Sequence, residues 1–98
     1  MIEKIELNNL GTENKNEVII LTDRGNFHLF FSYKTLVGIE YGFDGKGSKH
    51  YWIKSVIENL WSTTTGKLLN ELEPNKKNRK SSEVFEKEVS EMFEHINS

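Results

Sequence analysis

Cysteine is missing from the chain altogether, which removes disulfide bridges, thiolate metal ligands and cysteine nucleophiles together. A small secreted scaffold held by disulfides is excluded on that ground. Long apolar runs are missing too, and none approaches the ~20 residues of a membrane span. The opening MIEKIELNNL spaces its charges through the segment, where a secretory signal would place a basic start before an apolar core. Cytoplasmic residence, away from membranes, is the expectation. An excess of one charge is the third thing lacking: a net charge of −2 and a pI near 5.9 give no global field for nucleic acid or anionic lipid. Any electrostatic recognition must therefore be local.

What is present suffices for one domain, residues 1–98, with a single modest core. Hydrophobic residues make up 36% of the chain and charged residues 29%, a little polar for a globular protein but far from the disordered class.

Residues 2 to 8 mix two characters. Ile2, Lys4 and Glu6 alternate with Glu3, Ile5 and Leu7, which suits an edge strand better than a central one. A polar loop rich in turn formers runs to Asn16. Glu17 to Thr22 and Phe27 to Tyr33 are β-branched or aromatic on both faces and flank Asp23-Arg24-Gly25-Asn26. This predicts a β-hairpin in which Gly25 takes the positive φ of a tight turn or adjoining bulge. A second turn near Tyr33-Lys34 leads to a strand over Leu36 to Tyr41, in which Val37, Ile39 and Tyr41 share a face and Glu40 points away. The glycine-rich segment Gly42 to Ser48 reads as a flexible loop before another strand, His50 to Val56, with Ile57 to Leu60 extending it or bending away. Short connections imply an antiparallel meander, and continuous apolar content in its middle pair calls for cover on both faces.

Trp61 to Leu72, WSTTTGKLLNEL, is the joint between this strand-rich half and a helical half. A hydroxyl of Ser62, Thr63 or Thr64 can accept from an orphan N–H of a first helical turn. Leu68, Leu69 and Leu72 share one face and read as core, while Gly66 either admits a close neighbour or loosens the turn. Beyond Pro74, Lys76, Lys77, Arg79 and Lys80 fall within five residues, a run that is ordinarily a solvated loop. Ser81 or Ser82 then caps a final helix whose first turn carries Glu83 and Glu86. Phe85, Val89, Met92 and Ile96 form its apolar stripe, widened by Val84 and Phe93, opposite an acidic face. Such a stripe fits the chain's own sheet or a second copy, and intramolecular docking is the favoured expectation. The fold class that follows is α+β: an antiparallel meander of four to five strands followed by two helices packed on it.

No catalytic constellation is present. Gly66-Lys67 after a run of hydroxyls imitates a phosphate-binding loop, but Trp61 stands at the first glycine position and Leu68 where a hydroxyl would hold magnesium. His28, His50 and His95 lack the spacing of metal ligands, so no metal or other cofactor is expected; His28, in an apolar strand, suits a hydrogen-bonded structural role. Serine, histidine and aspartate occur without a nucleophile elbow, and most acids lie in polar contexts unsuited to acid–base work. Tyr51 and Trp52, near Lys46, Lys49 and Lys54, offer aromatics and charge for single-stranded nucleic acid, yet as neighbours on a strand they point to opposite faces.

Phe31-Ser32-Tyr33-Lys34-Thr35-Leu36-Val37, followed by Trp61-Ser62-Thr63-Thr64-Thr65-Gly66-Lys67-Leu68-Leu69-Asn70, resembles a family of small uncharacterised proteins of bacteriophages and mobile elements. That family pairs a YxTLV strand with a WSxTTxKHLN segment. Leu69-Asn70 matches, whereas Leu68 stands where the family has histidine, and the likeness covers roughly residues 30 to 72. It implies a setting, the host cytoplasm, and no mechanism.

The expected function is therefore that of a non-enzymatic binding protein acting on a protein partner, such as a host factor that it inhibits. Trp61, Thr63, Thr64 and Lys67 form the candidate contact surface, since the stretch has more hydroxyls than one cap can use. The alternative is a nucleic-acid-binding module using Lys67, Lys76, Lys77, Arg79 and Lys80. Both a monomer and a homodimer are compatible with the sequence.

Overall fold

The computed structural model of the protein describes residues 2–11, 14–44, 49–59 and 63–97, the side chains of Asp44, Thr63 and Thr64 apart. Strands β1 (Ile2–Asn9), β2 (Lys15–Thr22), β3 (Gly25–Ser32), β4 (Thr35–Asp44) and β5 (His50–Val56) form one antiparallel sheet in the order β1-β2-β3-β4-β5. Helices α1 (Thr63–Leu72) and α2 (Ser82–Asn97) follow. The fold is the expected α+β meander with two helices, and the mixed opening segment is indeed its edge strand.

The turns explain the topology. Asp23 and Arg24 alone separate Thr22 from its partner Gly25. The Thr22 hydroxyl closes the corner by donating to the Gly25 carbonyl at 2.9 Å and accepting from the Arg24 N–H at 3.1 Å. Gly25 has φ +147°, and a Cβ there would sit 3.1 Å from the Gly42 carbonyl oxygen. The next turn places Tyr33 at φ 56°, a left-handed conformation unusual for a tyrosine. β4 continues through Gly42 and Phe43 to Asp44, so the expected loop begins later than its glycines imply; residues 45–48 lie outside the described residues.

Cross-strand pairing sorts the sheet into two faces. One carries Phe27, Leu29, Phe31, Ile39, Tyr41 and Ile53; the other carries His28, Phe30, Gly38, Glu40, Lys54 and Val56. α2 lies on the first, where the His95 ring stacks on Phe43 at 4.3 Å and lies tilted to Tyr41 at 5.7 Å. α1 lies on the second, where Thr65 Oγ1 is 2.8 Å from Ser32 Oγ and Leu72 is the atom group nearest Gly38. Each helix thus covers one face, which is the cover that the doubly apolar middle strands demand. A shift in register between Phe30 and Phe31 gives β4 one extra residue and turns its start relative to its end.

Leu68 and Leu69 of α1 and Phe85, Met92 and Ile96 of α2 are buried with Phe27, Val37, Ile39 and Val56. The final helix docks within its own chain. Ser81 caps it, its hydroxyl accepting from the Val84 N–H at 3.4 Å and its carbonyl from Phe85 at 2.9 Å. The stripe is narrower than the sequence implies, because Val84 and Phe93 are 44% and 41% exposed.

The basic run also departs from the expected free loop. Asn75 caps a short 3-10 turn, Lys76–Asn78, and Lys80 forms a parallel bridge with Ile57. The Lys80 N–H donates to Val56 and its carbonyl accepts from Glu58, both at 2.7 Å. Backbone pairing, to which charged side chains are indifferent, anchors the run to the end of β5.

Candidate functional site

The organising stretch splits into buried and exposed parts. Thr65, one of the surplus hydroxyls, spends its oxygen on the buried bond to Ser32. Thr63 and Thr64 belong to the first turn of α1, but their side chains, like Trp61 and Ser62 entirely, lie outside the described residues. Lys67 is exposed on α1, and Gly66 beside it admits the Asn59 side chain closely: a Cβ there would come 2.9 Å from its amide nitrogen, which would have to shift.

Lys67 does not stand alone. It lines a cleft of about 610 Å³ together with Glu58, Asn59, Asn70, Lys76 and Arg79. Arg79 is fixed there, its Nε donating to the Glu73 carbonyl at 3.0 Å and its Nη2 to Asn70 Oδ1 at 2.6 Å. Three cations against the single carboxylate of Glu58 make this a local positive region on a chain of net negative charge. The remaining candidates for nucleic acid go elsewhere. Lys77 is exposed on the 3-10 turn, and Lys80 lines a separate groove of about 520 Å³ between β5 and α2, opposite Glu88 and Glu91. In that groove burial, and then the Glu91 and Glu88 carboxylates, raise the Tyr41 phenol above its ordinary pKa, so it stays a neutral hydroxyl.

A third depression, about 660 Å³, lies on the other flank of α2. Leu36, Ile57, Phe85, Val89 and Phe93 line it mostly with carbon, and Ser90 and Glu86 stand at its rim. Sequence reasoning missed it, although the surplus width of the α2 stripe was its signal. Glu58 and Asn59 carried no signal, and Asn70 only its place in the WSxTTxKHLN-like segment; the packing of α1 and the Lys80 bridge bring all three beside Lys67.

The remaining polar groups serve the sheet. His28 Nδ1 meets Glu17 Oε2 at 2.9 Å, the structural role its strand suggests. Trp52 donates to Glu40 at 3.0 Å on one face while Tyr51 stacks on Phe43 at 5.2 Å on the other, so the two make no common platform. Among the described residues no group of three or more histidines and acids gathers as metal ligands, and no helix is long and apolar enough to cross a membrane. No family model, curated protein or solved structure matches the chain.

Proposed function

We propose that the protein is a small non-enzymatic binding protein that acts by docking an apolar segment of a protein partner against α2. The observation that carries this reading is the groove beside Phe93. A phenylalanine left 41% exposed over a depression walled by Leu36, Phe85 and Val89 offers apolar area that α2 does not bury within its own chain. The resemblance to phage and mobile-element proteins supports a host factor as that partner, met in the host cytoplasm and held inactive by the contact.

The test is affinity capture from host lysate, with and without nuclease, followed by calorimetry on whatever protein is retained. A nuclease-resistant partner is expected, bound with a negative heat-capacity change and lost in Phe93→Ser while the thermal midpoint of the fold holds. Retention unchanged by Phe93→Ser would remove the groove from the interface.

The cleft at Lys67, Lys76 and Arg79 favours a second reading, a nucleic-acid-binding module. Three phosphate contacts predict a log–log salt slope of about −2.7 on duplex DNA. Lys77 and Lys80 do not line that cleft, and a slope near −4.5, as five contacts would give, would show the whole run engaged. Absence of any retarded probe at low salt would end this reading.

A further inference from the structure

We infer that the open edge of β1 pairs with β1 of a second copy, in a two-fold register centred on Ile5. This stands apart from the groove at Phe93 and does not depend on it.

The two sheet edges differ. The end of β5 is met by the Lys80 segment, whose backbone bonds to Val56 and Glu58. β1 has β2 on one side and, among the described residues, no strand on the other. All eight of its residues, Ile2–Asn9, are exposed apart from the partly covered Glu6. An edge of this length presents a row of backbone donors and acceptors ready for another chain.

The register of β1 on β2 decides which residues present them. The Leu10 N–H donates to the Lys15 carbonyl at 2.8 Å, and antiparallel pairs alternate between bonded and non-bonded. Lys4, Glu6 and Asn8, opposite Leu21, Ile19 and Glu17, therefore turn their backbone groups toward β2. Ile5, Leu7 and Asn9 turn theirs outward. A two-fold axis can pass through one of these outward residues, as a bonded pair, or through Lys4 or Glu6, as a non-bonded pair that sets like charge against like; the charges therefore favour the outward residues.

Centring on Ile5 overlaps Ile2 to Asn8 of both copies, with regular pairing around Lys4, Ile5 and Glu6 and an interruption at Glu3, where β1 shifts register against β2. It sets Ile5 against Ile5 as a bonded pair, and it sets Lys4 against Glu6 and Glu6 against Lys4 at the intervening non-bonded positions, where side chains approach most closely. The charges already share one face, Lys4 Nζ lying 3.3 Å from Glu6 Oε1 within the strand. On the other face the exposed Ile5 side chains, 61% open, cover each other. Centring on Leu7 shortens the overlap and places Glu6 opposite Asn8, with no opposite charges matched. Opposite signs that satisfy each other under rotation make the edge self-complementary, where a run of like charges would repel a second copy.

Sedimentation over a concentration series tests this. The wild type should pass from 11.4 kDa to twice that mass and stop, because a two-fold contact closes. Lys4→Glu alone and Glu6→Lys alone should each remain monomeric, since each sets like charges against like. An equimolar mixture of these two variants should dimerise, and so should the double variant Lys4→Glu/Glu6→Lys. Ile5→Pro, which removes an outward N–H and no bond to β2, should abolish dimers while circular dichroism and thermal midpoint remain those of the wild type. A wild type that stays at 11.4 kDa at every concentration, or grows past the dimer, overturns the inference. A dimer indifferent to Lys4→Glu overturns it equally.

Discussion

Leu69 of α1 and Leu7 of β1 carry the same side chain, one facing the covered part of the sheet and one on its open edge strand, and they lead opposite lives. Leu69 is fully buried where α1 meets the core, whereas Leu7 is 73% exposed on β1. The contrast extends to their neighbourhoods: β3, β4 and β5 lie between two helices, β2 joins them through buried Ile20 and the Lys15–Glu71 ion pair at 3.7 Å, and β1 reaches beyond both. At the covered end apolar area is removed from water and holds the fold together. At the open end the strand is held by its hydrogen bonds to β2 and by whatever meets it from outside. Stability is concentrated at one end of the molecule, and the open backbone edge lies at the other.

The contrast is broken most directly by truncation at the covered end. Leu69→Ala should cost about 2 to 5 kcal/mol and Phe85→Ala about 3 to 5 kcal/mol, the range for deleting side chains from a close-packed core. Chemical denaturation should show both as falls in midpoint with the slope retained. A midpoint unchanged in both variants would mean that the helices do not cover the sheet, and the distinction between its ends would vanish.

How much of this arrangement could be read beforehand depends on what carries it. The hairpins were legible because Gly25 and the apolar runs around it are side-chain signals at fixed offsets. The edge character of β1 was legible because Glu3, Lys4 and Glu6 interrupt its apolar residues. The basic run at Lys76 to Lys80 misled because its anchor is a backbone bridge between Ile57 and Lys80, and no side-chain pattern announces a backbone pairing. Val84 and Phe93 misled for a different reason: helical spacing gives the direction of a side chain but not how far the covering sheet extends beneath it. The candidate site was legible only in part. Lys67, Lys76 and Arg79 were grouped from sequence and line one cleft, whereas Lys77 and Lys80, grouped with them, do not.

A smaller effect is expected where the two ends meet. The Tyr33 N–H donates to the Asn14 carbonyl at 2.6 Å, tying the turn between β3 and β4 to the start of β2. Tyr33 does so at φ 56°, a conformation that costs an L-residue roughly 1 to 2 kcal/mol, and with its ring 53% exposed it recovers little by packing. Asparagine tolerates this region, so Tyr33→Asn should raise stability by about 0.5 to 1 kcal/mol. Tyr33→Val, with its branched Cβ, should lower it by a similar amount. Opposite shifts in thermal midpoint would confirm that the turn is a strained joint; shifts of the same sign would locate the cost elsewhere.

The smallest effect should come from Leu7 itself. Leu7→Thr keeps a residue that suits strands and removes only the exposed apolar tip, so dilute monomer should change by no more than about 0.5 kcal/mol. The comparison with Leu69→Ala then sets a leucine buried in the core against one left on the open edge. Concentration gives the experiment its second arm. In the two-fold register Leu7 stands diagonal to Ile5 of the second copy, next to the register shift at Glu3, so the same substitution should weaken self-association while leaving the monomer's denaturation midpoint in place. A loss of monomer stability comparable to that of Leu69→Ala would mean that the β1 end has its own apolar cover, and the division between a stabilising end and an available end would not stand.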